Sequence, residues 1–274
     1  MSRKTSSLEL EEKRRLNEIG KVFFSEKAMT IDREQMLMVV QESIDYVKGP
    51  NVLELGYTDR GWTDALINAG FNLTVIEGSK ECVDYARRKY GKIHNVMKKR
   101  AAFSPCTSEI TEEFKPARLK IIHSLFEEFK TKERFNSIIM SCVLEHVRDP
   151  VQILKKAKVW SIDNGKIIII VPNKYSLHRR IGYYLNMIES FDELSRQDLE
   201  VGHRRLYSID EMLKDIQLSG LNGRFEKGIF LKPLSSDKLK DWPKELLWAY
   251  NKLGTYLPEW CAYLLFLAWP NKNN

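Results

Sequence analysis

The chain is short of several things, and each shortage narrows what it can be. It has four cysteines in 274 residues, at positions 82, 106, 142 and 261, with no C-x-x-C pair among them. That scatter argues against a disulfide framework or a cysteine-built zinc site. It predicts reduced thiols in a cytoplasmic protein. Long apolar runs are missing too. The most apolar stretch, Trp260 to Trp269 (WCAYLLFLAW), falls well short of the ~20 residues a membrane-spanning helix needs. The first twenty residues, MSRKTSSLELEEKRRLNEIG, lack an apolar core and do not read as a secretory signal. No internal repeat and no disordered linker is evident. The charge excess is mild, +7 with a pI near 9.1. Such a balance suits an anionic partner but is not by itself a nucleic-acid signature. A hydrophobic share of 43% supports the core of one α/β domain with additions.

What the chain does have is concentrated between Asn51 and Ser79, NVLELGYTDRGWTDALINAGFNLTVIEGS. Residues 51–55 are a short apolar run ending at a glycine, as a buried strand does. Residues 56–61 form a turn-rich loop. Trp62, Ala65, Leu66 and Ala69 share one helical face, Gly70 stops that helix, and residues 72–76 are a second apolar strand with Glu77 at its carboxyl end. Strand, glycine loop, helix, strand and acid make a nucleotide-binding βαβ half. The glycine lets the backbone turn sharply and lets a ligand approach. Free amides at the helix start favour electron-rich groups. A carboxylate at the second strand end can accept two hydrogen bonds from a ribose diol.

This stretch resembles motifs I and II of class I S-adenosylmethionine-dependent methyltransferases, whose motif I runs E/D-x-G-x-G-x-G. Glu54 and Gly56 match; Thr58 stands at the second glycine, and Gly61 is one place late. The pyrophosphate-binding pattern G-x-G-x-x-G is absent, which disfavours a dinucleotide dehydrogenase. A second match follows the expected fourth strand, 135–141. It is Cys142-Val143-Leu144-Glu145-His146-Val147, then a helix with Ile153, Leu154, Ala157 and Trp160 on one face, then the strand from Gly165 to Pro172. No D/N-P-P-Y motif follows that fourth strand, so a nucleic-acid acceptor is disfavoured. The resemblance implies a Rossmann-like, seven-stranded, mostly parallel sheet flanked by helices, with N- and C-terminal helical additions. It implies S-adenosylmethionine as cofactor, held by Glu54, Gly56, Tyr57, Thr58, Gly61, Glu77, Gly78 and Ser79. Ser124, Leu125 and Phe126 after the third strand (119–123), and Ser141 and Val143 after the fourth, complete that set. His123 and Ser124 stand where relatives carry an adenine-binding acid, so Leu125 and Phe126 are expected to supply apolar walls.

Some quinone O-methyltransferases of this type bind a divalent ion through E-x-x-x-E-H. Ser141 replaces the first glutamate here, and an adjacent Glu145 and His146 make a poor metal site without a further ligand. The expectation is no metal, with both residues capping the next helix and shaping the donor pocket. The substrate excursion is expected at 173–207, beyond the carboxyl end of the fifth strand. It holds His-Arg-Arg twice, at 178–180 and 203–205. Arg179, Arg180, Arg204 and Arg205, with Asn173, His178 and Tyr207, are expected to bind a small and anionic acceptor, because arginine grips phosphate or carboxylate with paired donors. In the other account those arginines pair with the nearby acids, among them Asp192, Glu193 and Asp198. His203 is the first candidate base and His146 the second. A weaker likeness, over 173–180 and 202–208, is to enzymes of surface-sugar and natural-product pathways. A hydroxyl of such a compound is the expected acceptor. A quinone or phenol acceptor, N-methylation, and a non-catalytic cofactor-binding protein are the alternatives.

Around this core, residues 7–19 read as a charged helix capped by Ser7. Residues 32–47 read as an amphipathic helix with Met36, Leu37, Val40, Ile44 and Val47 on its stripe. Residues 91–118 read as an insertion, Ser208 and Glu211 as a capping box, and 223–232 as a strand. Residues 236–269 read as helical and aromatic, closing the pocket or forming a homodimer face. The expected organisation is an N-terminal helical cap over 1–48, a methyltransferase core over 49–232 and a C-terminal helical extension over 233–274.

Overall fold

Every residue from Val52 to Leu55 is buried, because strand β1 (Asn51–Leu55) lies in the middle of a sheet covered on both faces. A parallel strand so placed shows a continuous apolar run rather than an alternating one. The same holds for β2 (Asn72–Glu77), β4 (Phe135–Ser141) and the latter half of β5 (Ser161–Pro172). Strand β3 (Leu119–His123), at the sheet edge, is half-buried. With β6 (Leu221–Ile229) and β7 (Tyr263–Pro270) the seven strands run β3-β2-β1-β4-β5-β7-β6, and β7 is antiparallel to both neighbours. These coordinates are a computed structural model describing residues 2–23, 31–57, 59, 61–91 and 118–271.

Helices cover both faces. On one, α2 (Ile31–Ser43), α3 (Trp62–Asn68), α4 (Lys80–Tyr90) and α10 (Lys244–Leu253) supply Met36, Leu66, Ala86 and Leu247 to a common core. On the other, α5 (Pro150–Trp160) and α8 (Ile209–Leu218) supply Ile153, Leu154, Met212 and Ile216 to a second. The Ser208–Glu211 capping box of α8 forms as expected. Helix α1 (Ser2–Phe23) is longer than the predicted 7–19, and α2 ends at Ser43 in a 3-10 turn, Ile44–Tyr46. Residues 92–117, most of the predicted insertion, lie outside the described residues.

One expectation is overturned. Residues 236–269 are not helical throughout. α9 (Ser236–Leu239), α10 and two 3-10 turns occupy the first part, but Tyr263–Pro270 is strand β7. It is inserted between β5 and β6, pairing Pro172 with Tyr263 and Ile229 with Tyr263 from either side. Leu264, Leu265, Phe266 and Ala268 are fully buried. Burial on both faces removes the period-2 signature, so the run is indistinguishable from a buried helix by pattern.

The register sets the carboxyl ends of the parallel strands side by side, with Leu55 opposite Ile76 and Met140, and Glu77 opposite His123. Strand order reverses at β1, since β2 lies on one side and β4 on the other. An open α/β sheet binds its ligand in the crevice at such a point. The excursion after β5 carries α6 (Leu177–Tyr184) and α7 (Arg196–Glu200) over that crevice and closes through an isolated bridge between Asn173 and Tyr207.

Candidate active site

A cavity of about 540 Å³ opens at this crevice. At one end the chain's own amides build the site. Gly56 turns with φ +80°, and its N–H donates to the Ile76 carbonyl at 2.8 Å. The next amide, of Tyr57, donates to Glu77 Oε2 at 2.7 Å, and the Ser79 amide to Glu77 Oε1 at 2.5 Å. Burial pushes the Glu77 carboxyl up to about 7, and the amides of Tyr57, Ser79 and Gly78 hold it from going higher. Each oxygen keeps a further lone pair toward the cavity, so the residues present fit a ribose diol. Glu54 is buried beside it and accepts from the Thr63 hydroxyl at 2.8 Å; burial lifts its carboxyl to about 8. Leu125, Phe126, Ser141, Val143, Gly78 and Ser79 line the same cavity.

Two predicted cofactor residues lie outside this lining. Gly61, at φ +114°, faces Leu37 and Val40 and serves to start α3. The Ser124 amide instead donates to the Glu77 carbonyl, its hydroxyl turned to Leu125 O. Thr58 lies outside the described residues.

At the other end, side chains gather from distant parts of the chain. His203 Nδ1 lies 2.9 Å from Asp198 Oδ1, and His203 Nε2 lies 4.0 Å from Glu145 Oε1. Asp198 also accepts from the Ser195 hydroxyl and amide. Burial alone would raise the Asp198 carboxyl, but the bonds from His203 and Ser195 hold it down at about 2. An ionised carboxylate only accepts, so Nδ1 of His203 carries a proton, and in the neutral ring it is Nε2 that holds the lone pair. Glu145 is fully buried, neither of its carboxylate oxygens has a hydrogen-bond partner, and burial raises it to about 7. His146 sits edge-on to His203 with ring centres 4.8 Å apart, its Nδ1 3.2 Å from the Gly202 carbonyl. Burial, reinforced by His203, depresses it to about 3, so it is neutral. Glu145, His146 and His203 bring ligand-type atoms within 4.8 Å of one another; the third is a ligand the adjacent pair lacked in sequence. Neither of that pair caps α5, whose N-cap is Asp149.

The two His-Arg-Arg copies do not build a cationic rim. Arg180, Arg204, Arg205 and Tyr207 are absent from the lining among the described residues. Arg180 donates to Tyr175 O and stacks on Trp260 at 4.6 Å. Arg204 binds the His146 carbonyl and Glu12; Arg205 binds the carbonyls of Leu144, Val147 and Arg148. The Tyr207 ring belongs to the core, and its hydroxyl donates to Asp215 at 3.2 Å. Asn173, Arg179 and His178 do reach the cavity. The Asn173 amide is occupied by the carbonyls of Glu259 and Cys261, however, and Arg179 by those of Lys174, Phe191 and Glu193, with Asp198 at 3.6 Å. These guanidiniums were the polar groups available to satisfy loop carbonyls, and that use won over ligand binding.

Helix α1 supplies wall residues that sequence reasoning missed. Arg15, Leu16, Ile19 and Gly20 line the cavity, and Asn17 accepts from the Lys80 amide at 2.7 Å. From sequence Asp198 is a candidate partner of the arginines only, and it does lie 3.6 Å from Arg179. A signal lay in S-x-x-D at 195–198, a capping box that forms at α7 and fixes the carboxylate.

The family described as a methyltransferase domain matches residues 14–224. No curated protein is matched. Among solved structures the chain is similar to a putative methyltransferase bound to the Trm112 methyltransferase activator of Haloferax volcanii, at 13% identity, TM-score 0.55, and 88% and 92% coverage of the two chains. It is also similar to magnesium protoporphyrin IX methyltransferase of Synechocystis PCC 6803 (10%, 0.53, 88% and 84%) and to the CcbJ methyltransferase of Streptomyces caelestis (12%, 0.52, 87% and 88%). At these identities the likeness is one of fold. The domain match spans most of the chain, and with it the chain belongs to the methyltransferase-domain family, class I in fold, with S-adenosylmethionine as its cofactor.

Proposed function

We propose that this enzyme methylates a hydroxyl oxygen of a small polar acceptor, a sugar or natural-product intermediate, with His203 as the base. The observation that carries this is the Asp198–His203 pair, which lines the cavity with Nε2 of His203 4.0 Å from the buried Glu145 carboxylate. When bound, S-adenosylmethionine supplies an electrophilic sulfonium methyl group. Glu77 would hold its ribose diol, and Leu125 and Phe126 would supply apolar walls to the same cavity. An acceptor hydroxyl at His203 Nε2 would lose its proton to that nitrogen, His203 acting as the base. Asp198 keeps the imidazole in the accepting tautomer, and Glu145 offsets the positive charge that the ring gains. Most of the rate comes from holding the oxygen in line with the methyl group. No metal is needed where His203 takes the proton.

The test is transfer of label from methyl-labelled S-adenosylmethionine to a panel of sugars, sugar phosphates and phenols. Transfer to the oxygen of a hydroxyl compound, abolished in His203→Ala, is the expected result. Labelled product on nitrogen, or full activity in folded His203→Ala, would overturn it.

A further inference from the structure

Lys232, just beyond β6, has no role in the account above. It is 8% exposed and lines the same cavity. Among the described residues its ammonium makes one hydrogen bond, to the Ser236 hydroxyl at 2.9 Å. An ammonium has three donors, and a buried cation is unfavourable unless it is paired. Three carboxylates act on it through space, Asp32 from α2, Asp198 from α7 and Asp237 from α9, while burial lowers the pKa of its ammonium. Among the described residues none of those carboxylates stands within 4.0 Å of the ammonium. Asp198 is committed to His203 and Ser195, and Asp32 lies 3.5 Å from the Ser236 hydroxyl. That hydroxyl also accepts from Gln35 at 3.3 Å, and Gln35 in turn from Tyr263 at 3.2 Å. The cluster is therefore rigid. His178 adjoins it, and burial together with the Lys232 charge keeps its imidazole neutral.

We propose that Lys232, steadied by Ser236, is the seat for an oxyanion group, carboxylate or phosphate, carried by the acceptor. The proposal rests on the methyltransferase assignment and deepens it: it moves the acceptor's anion from the arginines, which serve loop carbonyls, to a lysine whose one hydrogen bond among the described residues is to a neutral hydroxyl. A buried ammonium with unused donors gains a charge-assisted hydrogen bond only when an anion arrives. The acceptor class is thus a hydroxyl compound bearing one carboxylate or one phosphate.

The experiment compares the whole protein with Lys232→Met and Lys232→Arg. Melting temperature is followed against inorganic phosphate and against acetate, with chloride at matched ionic strength. Affinity for S-adenosylmethionine is measured on each variant. The expected result is a saturable rise in melting temperature with one of the two anions in the wild type. The apparent affinity should fall about tenfold or more in Lys232→Met, the scale of one charged hydrogen bond, and be partly kept in Lys232→Arg. A response to phosphate alone assigns a phosphorylated acceptor, and to acetate alone a carboxylate. Cofactor affinity should be unchanged throughout. An equal rise in wild type and Lys232→Met, or no rise with either anion, overturns the subsite. So does a Lys232→Met protein that merely melts lower, because that marks a structural lysine. If the wild type binds no S-adenosylmethionine, the enzyme assignment itself fails, a distinct outcome.

Discussion

At the donor end of the cavity the amides of Tyr57 and Ser79 hold Glu77. At the acceptor end the Asp198 carboxylate holds His203, with Glu145 left over beside it. The donor end centres on one βαβ unit, lined also by residues after β3 and β4, and its key carboxylate, Glu77, is held by main-chain amides. The acceptor end is assembled from the loop after β4, from α7 and from the segment after it, and its contacts are side-chain. Main-chain geometry follows from the fold alone, so a ligand common to many enzymes can be held that way. Side-chain geometry changes with every substitution, which is where a substrate preference can be altered without disturbing the cofactor. The contrast predicts that damage to each end shows in a different measurement.

The largest expected effect is at His203. His203→Ala should lower turnover by roughly 100-fold or more, with cofactor affinity unchanged. Asp198→Asn should also lower turnover, because an amide can offer an N–H to Nδ1 and disturb the tautomer. Turnover undiminished in both would dissolve the division between the two ends and move the base to His146.

Next come the arginines of the second His-Arg-Arg. Arg205→Ala frees three loop carbonyls and should cost about 1.5–3 kcal/mol of stability. It should leave the salt dependence of acceptor binding as it was. Denaturant melts and acceptor KM at two ionic strengths separate these effects. A KM that rises with unchanged stability would restore the cationic rim.

Acidity offers a subtler test. The carboxyls of Glu54, Glu77 and Glu145 are raised to about 8, 7 and 7, from the ordinary 4.5 expected in the unfolded chain, chiefly by burial. Between those values these three groups hold more protons folded than unfolded, so their contribution to stability falls as pH rises, while the depressed His146 and His178 oppose it below about pH 6.5, leaving the steepest fall above that. That contribution is complete below about pH 4.5 and is lost through about pH 7 to 8. The ligand-free protein should melt at progressively lower temperature across that window. Glu145→Gln should show a shallower decline; an identical slope in the variant would contradict the burial argument.

The smallest expected effect is from a chelator. Turnover should be unchanged, although Glu145, His146 and His203 are close enough to share an ion. Loss of activity restored by magnesium or zinc would instead make His203 a ligand.

The donor end was legible because each of its parts leaves a local mark: an apolar run, a glycine, an acid at the next strand end. Strands β3 and β4 fall on the predicted residues for the same reason. Strand β7 did not announce itself, since burial on both faces erased its alternation. The acceptor end was half legible. His203 was marked by its place beyond β5, and Asp198 lies on the same excursion with its S-x-x-D signal, but Glu145 comes from the loop after β4, and no spacing in one sequence ties it to them. The repeated His-Arg-Arg misled: one copy lies on helix α6 and the other in an extended stretch, so the same three side chains meet different surroundings.

The central claim is that the cavity holds S-adenosylmethionine through Glu77. Calorimetry of S-adenosylmethionine binding to the wild type and to Glu77→Ala tests it directly. The account predicts one saturable site in the wild type and an affinity weakened by roughly ten- to a hundredfold in the variant, the scale of hydrogen bonds to a charged partner. Equal affinity in the two proteins would contradict it.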